Sequence, residues 1–396
     1  MTTRQGGPGV TDQDREVPML DESLLDDPDA LGRADTRGLL LSAAAAGARV
    51  RIAARLTQEA GVQNLRPDGR PRSVLVAGTG PETAVVADVL AALGAGSCPV
   101  IPLRPAGPTS YELHWTLPGW TGPLDLLLLT TSSGREDGLV GLVEQAYRRG
   151  CTVAAVAPAK SPLAEALEQA RGMTIPFAGP APTLPSGAAG ASGDDPGALW
   201  ALLTPLLTLA DRIGLFSAPP TAVQAVADRL DEVAARCGPA IATYNNPAKT
   251  LATELADALP LLWSTGPIGA PAARRFAAVL AARTGRPALA AELPEALAAH
   301  GALLAGTLAA GADPDDFFRD RTEDNRTMRL RVVLLREAAG QQAAAAPAAR
   351  ELAYAHETPL SEIAAADGSA LETAAELLAL TDFAAVYLAV ASSERS

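Results

Sequence analysis

One short unit occurs twice in this chain, and few folds can accommodate it twice. Val74-Leu75-Val76-Ala77-Gly78-Thr79-Gly80-Pro81 is followed by an Ala/Val/Leu-rich run. Leu261-Leu262-Trp263-Ser264-Thr265-Gly266-Pro267 is followed by another. Each reads as a buried strand, a glycine turn and a helix, the building unit of a parallel α/β sheet. Such turns lie at the C-terminal ends of strands, where open α/β sheets bind ligands. The free N–H groups of the following helix favour an anion there. Two copies in 396 residues predict two similar α/β domains.

The intervening sequence supports that expectation. Strands are predicted at Ser73–Ala77, Cys98–Leu103, Asp125–Thr131, Thr152–Ala157 and Met173–Phe177, with helices over 82–94, 135–149 and 162–171. In the second half, Asn246-Pro247 reads as N-cap and first helical residue of a helix over 247–258. Strands then fit Leu261–Ser264, Pro287–Ala291 and Arg329–Leu335, and helices fit 270–284, 294–308 and 368–392. Leu199–Leu209 reads as part of a core helix, within a helical pair over 197–236. A helix over 38–60 is expected to turn Arg49, Arg51 and Arg55 to solvent. The expected order is a disordered segment 1–18, a first domain 19–177, a Pro/Gly/Ala/Ser-rich linker 178–196 and a second domain 197–396. Met19 is an alternative start of the fold.

Charge and cysteine usage narrow the function classes. A net charge of −13 argues against general binding to nucleic acid or anionic membranes. No apolar run is read as long enough to span a bilayer. Cys98, Cys151 and Cys237 have no metal-type spacing, so no metal is expected, and an odd count fits a reducing cytoplasm.

The segment Leu126–Ala157 carries the most chemistry. A strand runs into Thr131-Ser132-Ser133-Gly134-Arg135-Glu136, then a helix, then Gly150-Cys151-Thr152-Val153-Ala154-Ala155-Val156-Ala157. Hydroxyls and backbone N–H groups in such a turn either surround a phosphate or cap the helix. This arrangement resembles the sugar isomerase (SIS) domain, whose turn typically reads Ser-x-Ser-Gly-Asn-Thr and holds a sugar phosphate. Asn246–Leu255 followed by Leu259–Trp263, with Pro294-Glu295 further on, is similar to bacterial bifunctional phosphoglucose/phosphomannose isomerases.

The resemblance implies two SIS domains, each a flavodoxin-like parallel sheet flanked by helices, paired into a homodimer. It implies aldose–ketose isomerisation of a hexose 6-phosphate through a cis-enediol, with no cofactor. The implied ligand site is Gly78, Thr79 and Gly80 with Thr131, Ser132, Ser133 and Arg135. The active-site motifs depart from the family pattern. The turn's usual Asn and Thr are Arg135 and Glu136, and the family's glycine loop carries Pro81 and Glu82. The positions aligned with the catalytic carboxylate and histidine are Ala282 and Ala298, the arginine position falls near Pro196, and no lysine follows Lys249. Alanine cannot move a proton. The replacement candidates are Glu292, Glu295, His300 and Lys160. His300 is read as a surface histidine, and Lys249, in the first turn of its helix, as a hint of an anionic partner. A non-catalytic dimer that binds a phosphosugar or related metabolite, or scaffolds a partner, is the competing expectation.

Overall fold

A computed structural model describes residues 20–67, 69–109, 112–179, 195–306, 329–337 and 345–392. The segment 1–18 and most of the 178–196 linker lie outside the described residues. The first sheet contains β1 (Ser73–Gly78), β2 (Val100–Pro102), β3 (Asp125–Thr130), β4 (Thr152–Ala157) and β5 (Met173–Pro176) in the order β2-β1-β3-β4-β5. The second contains β6 (Ala258–Ser264), β7 (Leu289–Glu292), β8 (Arg329–Arg336) and β9 (Leu360–Ala364) in the order β7-β6-β8-β9. Every pairing is parallel. Numbered from its own first strand, the second sheet repeats the first as 2-1-3-4. The repeat read in the sequence is therefore a repeat of topology. In both sheets strand order reverses beside the first strand, which sets a crevice between β1 and β3 and another between β6 and β8.

Side chains alternate across each sheet, so the central strands feed two cores. Val74, Val76, Leu126 and Leu128 join Leu262, Val333 and Leu335 in one large core shared by the two halves. Leu75, Leu127 and Leu129 face outward under helices Asp137–Arg148 and Pro162–Gln169. Leu261, Trp263, Val332 and Leu334 do the same under Glu295–Leu304 and Ala345–Ala355. The helices following β1 and β6, Pro81–Gly94 and Gly266–Thr284, pack against each other across the shared core. Arg274 on the second pairs with Asp88 on the first at 2.7 Å.

The helix Ala370–Ala391 occupies the middle of that core. By length and composition it would span a bilayer, which corrects the expectation that no segment would, but it is buried within the protein. A capping box of Ser369 and Glu372 starts it. Its few charges are paired. Asp382 holds Arg275 through a bidentate contact, at 3.0 Å to Nε and 2.8 Å to Nη2. Glu376 accepts from Arg229 at 2.6 Å and also from Arg236. Burial pushes the Glu376 carboxyl up, and Arg236, the Ala366 N–H and Arg229 together hold it below its usual range.

Three local expectations need correction. Arg49 is buried, because it pairs with Asp195 at 2.9 Å beneath the start of helix Ala198–Arg212. Lys249 does not face an external anion. Its side chain is wholly buried, and Nζ donates to the carbonyls of Leu25 (2.5 Å), Pro239 (2.8 Å) and Ile241 (2.7 Å), with the Tyr387 ring 5.5 Å away. Burial lowers its pKa, and the carbonyls satisfy all three of its protons. His300 is not a surface residue, since only 8% of it is exposed. The strand β9 and the helix Ala345–Ala355 had no counterpart among the expected elements.

Candidate functional site

The crevice between β1 and β3 is built by two turns. Gly78 ends β1, and a Cβ there would collide with the Thr130 carbonyl and hydroxyl, so glycine permits the close approach of the two strand ends. Thr79 and Gly80 follow, the latter at φ +85°, before Pro81 opens its helix at a position where the missing N–H costs nothing. Thr83 binds back to the Thr79 carbonyl at 3.1 Å and to the Thr130 hydroxyl at 2.9 Å, which ties the two turns together.

After β3, the Thr131 hydroxyl accepts from the N–H groups of Ser133 (3.1 Å) and Gly134 (2.9 Å) and folds the chain into a hydroxyl-stabilised turn. Gly134 completes it at φ +66°. The helix then begins at Asp137, without any side-chain cap on its free N–H groups. Simple N-capping by these hydroxyls is therefore not what the turn does.

The hydroxyls converge on a carboxylate instead. Thr79 donates to Glu136 at 3.1 Å, Thr131 at 2.9 Å and Ser133 at 2.7 Å. Glu136 stands where the resemblance puts the turn's threonine. Its carboxylate is the anion of the cleft, supplied by the chain. Ser132 is half-buried beside it, and Arg135 is exposed at the tip of the turn. Glu82 does not join this anion. It is buried near Arg275 and Asp382, and burial raises its pKa, against the pull of Arg275.

The crevice between β6 and β8 repeats the theme with different donors. Glu337, the residue after β8, accepts from the N–H groups of Ile268 (2.6 Å) and Gly269 (3.0 Å) at the start of helix Gly266–Thr284. Its own N–H donates to the Thr265 hydroxyl at 3.2 Å. Gly266, at φ +72°, leaves the space the carboxylate needs, because a Cβ there would overlap Glu337. Neither carboxylate plug was read in the sequence. The available signal was Glu136 in the threonine position of the turn.

Among the acid–base candidates, no hydrogen bond or ion pair between described residues joins any two. Lys160 lies exposed after β4, on the first sheet. Glu292 ends β7 and pairs with Arg274 at 3.0 Å. Glu295 is exposed in the first turn of helix Glu295–Leu304. His300 packs on the outer face of the second sheet, where Nδ1 accepts from Trp263 Nε1 at 2.9 Å, and burial lowers its pKa. Ala282 and Ala298 are both exposed on their helices.

Residues 244–393 match the bacterial phospho-glucose isomerase C-terminal SIS domain family. No curated protein sequence matches the chain. In fold, the chain is similar to a proposed phosphosugar isomerase from Silicibacter pomeroyi (TM-score 0.57, 17% identity, 88% of this chain and 95% of that one). It is also similar to a hypothetical protein from Thermus thermophilus (TM-score 0.56, 14% identity, 94% and 93% of the two chains). A third likeness is to a proposed phosphosugar isomerase from Salmonella typhimurium (TM-score 0.55, 12% identity, 87% and 92%). At these identities the likenesses speak for the fold, and the family match speaks for the second half. The match makes residues 244–393 a SIS domain similar to the C-terminal domain of bacterial phosphoglucose isomerases, and the first sheet repeats the strand order of the second.

Proposed function

We propose that this protein is a non-catalytic SIS protein whose β1/β3 crevice takes a phosphorylated hexose or a related metabolite. The observation that carries the reading is the convergence of the Thr79, Thr131 and Ser133 hydroxyls on one carboxylate. Three donors aimed at a single anion form a cradle that suits the oxygens of a phosphate. On this reading Gly78, Gly80, Ser132 and Arg135 belong to the same site, which the exposure of the Arg135 guanidinium supports.

Catalysis fails on the acid–base side. Isomerisation needs a base within hydrogen-bond reach of C1 and C2 of an opened sugar. Ala282 and Ala298 offer none, His300 spends Nδ1 on Trp263, and Glu292 is paired with Arg274. We place the protein in the cytoplasm as a homodimer, in keeping with its acidic charge and its free cysteines.

A coupled assay with glucose 6-phosphate, mannose 6-phosphate and fructose 6-phosphate tests the catalytic half. General acid–base groups contribute about 10²–10⁴-fold each, so activity near background is expected. Turnover of roughly 1–10³ per second that survives purification from host isomerases would overturn it, and Glu292, Glu295, His300 and Lys160 would then be mutated first. Calorimetry tests the binding half. Ser133→Ala should weaken hexose phosphate affinity by about 0.5–1.5 kcal/mol, or up to about 3 if the lost partner is charged. Absence of hexose phosphate binding even to a protein with the crevice's own carboxylate removed would sink it.

A further inference from the structure

We infer that Glu136 is a built-in competitor for the phosphate of the β1/β3 crevice, so that the cleft is closed to phosphate monoesters until this side chain leaves. The inference rests on the ligand class proposed above and concerns how that same site is regulated.

The geometry makes occupancy exclusive. The Thr79, Thr131 and Ser133 hydroxyls each have one proton to give, and each is within 3.1 Å of a Glu136 carboxylate oxygen. The Thr131 oxygen has already accepted from the Ser133 and Gly134 N–H groups, and the Ser133 oxygen from Arg135 N–H at 3.2 Å. Both groups are thus oriented with their protons toward Glu136. A phosphate dianion needs the same protons and would meet a fixed negative charge at hydrogen-bond distance, where repulsion is strong. The two anions cannot share the turn.

The carboxylate can leave without unravelling the fold. Glu136 is half-buried, and its backbone carbonyl still accepts from Leu139 and Val140 at 3.0 and 3.2 Å whatever its side chain does. A change of side-chain rotamer would move the carboxylate toward solvent and free all three hydroxyls together.

The same arrangement in the other half argues that the plug is a feature of the architecture. There too the carboxylate comes from the loop after the third strand of its sheet, as Glu337.

Two variants separate charge from shape. Glu136→Gln keeps the size and removes the charge. Glu136→Thr places a hydroxyl where the resembling family has one. Glucose 6-phosphate binding is measured by calorimetry on the full chain, with folding checked by circular dichroism and thermal melting. Binding to either folded variant at least tenfold tighter than to the unsubstituted protein is the expected result. Equal or weaker binding to the variants, with clear binding to the unsubstituted protein, overturns the gate and leaves the proposed ligand class standing. No binding to any of the three proteins overturns both. Should one variant fail to fold, the other carries the test alone.

Discussion

In the first sheet the carboxylate at the crevice is met by side-chain hydroxyls, and in the second by backbone amides. The difference is mechanical. A hydroxyl rotates about its C–O bond and can turn to another acceptor or to water once its partner leaves. The Ile268 and Gly269 amides are fixed by the helix they start, so Glu337 is part of how that helix begins. The helix after β3 begins with no such cap. On the proposed gate, the first crevice gives up its carboxylate at little cost to the fold, whereas Glu337 is held by the start of its helix.

The contrast fails most visibly where the halves meet. Arg275, on the helix that follows β6, is buried and held by Asp382, with Glu82 from the first half near it. Arg275→Ala strands Asp382 in the core without its cation. A loss of about 3–5 kcal/mol is expected in urea denaturation, as for other broken buried pairs. A loss under about 1 kcal/mol would mean that the junction admits water and that the halves are joined less tightly than their shared core implies.

The two plugs give a sharper test. Glu337→Ala should cost about 1–2 kcal/mol, the scale of a lost helix cap with charge-assisted bonds. Glu136→Ala should cost less than about 1 kcal/mol, since water can satisfy the freed hydroxyls. If Glu136→Ala proves the more destabilising, the first crevice is structural and the contrast is reversed.

The smallest expected effect concerns His300, on the second half. Burial holds its pKa below the ordinary value of 6.5, so the unfolded chain binds the proton first. The stability this histidine contributes is present above about pH 6.5 and is lost as pH falls through the depressed folded value. Glutamine at 300 cannot titrate and still offers Trp263 an acceptor. His300→Gln should flatten stability against pH just below 6.5, measured by urea denaturation in a pH series. An unchanged slope would show that other groups set it.

The strand–turn–helix units were legible because each central strand is a continuous apolar run closed by glycine, a signal that survives without context. β9 was not, because Leu360–Ala364 lies at a sheet edge with little of it buried and alternates too weakly to announce itself. The hydroxyl turn was legible as a place where hydroxyls meet either an anion or the start of a helix. That its anion would be Glu136 was not, because the choice depends on a rotamer and on Thr79 from a turn 57 residues away. Lys249 and Arg49 were misread for a related reason. A long cation in a helical pattern looks solvated until the carbonyls of Leu25, Pro239 and Ile241, or the carboxylate of Asp195, arrive from elsewhere in the chain.

The position of helix Ala370–Ala391 has a consequence for biosynthesis. The segments it packs on, from the helix Pro28–Ala34 to Pro220–Arg236, Pro247–Leu255 and Gly266–Thr284, all precede it in the chain. On the ribosome, translating about 5–20 residues per second, every other part of the shared core emerges before the helix that fills it. Until then the helices Pro220–Arg236, Pro247–Leu255 and Gly266–Thr284 lack the helix they pack on, and the nascent chain carries apolar surface of the kind that chaperones bind.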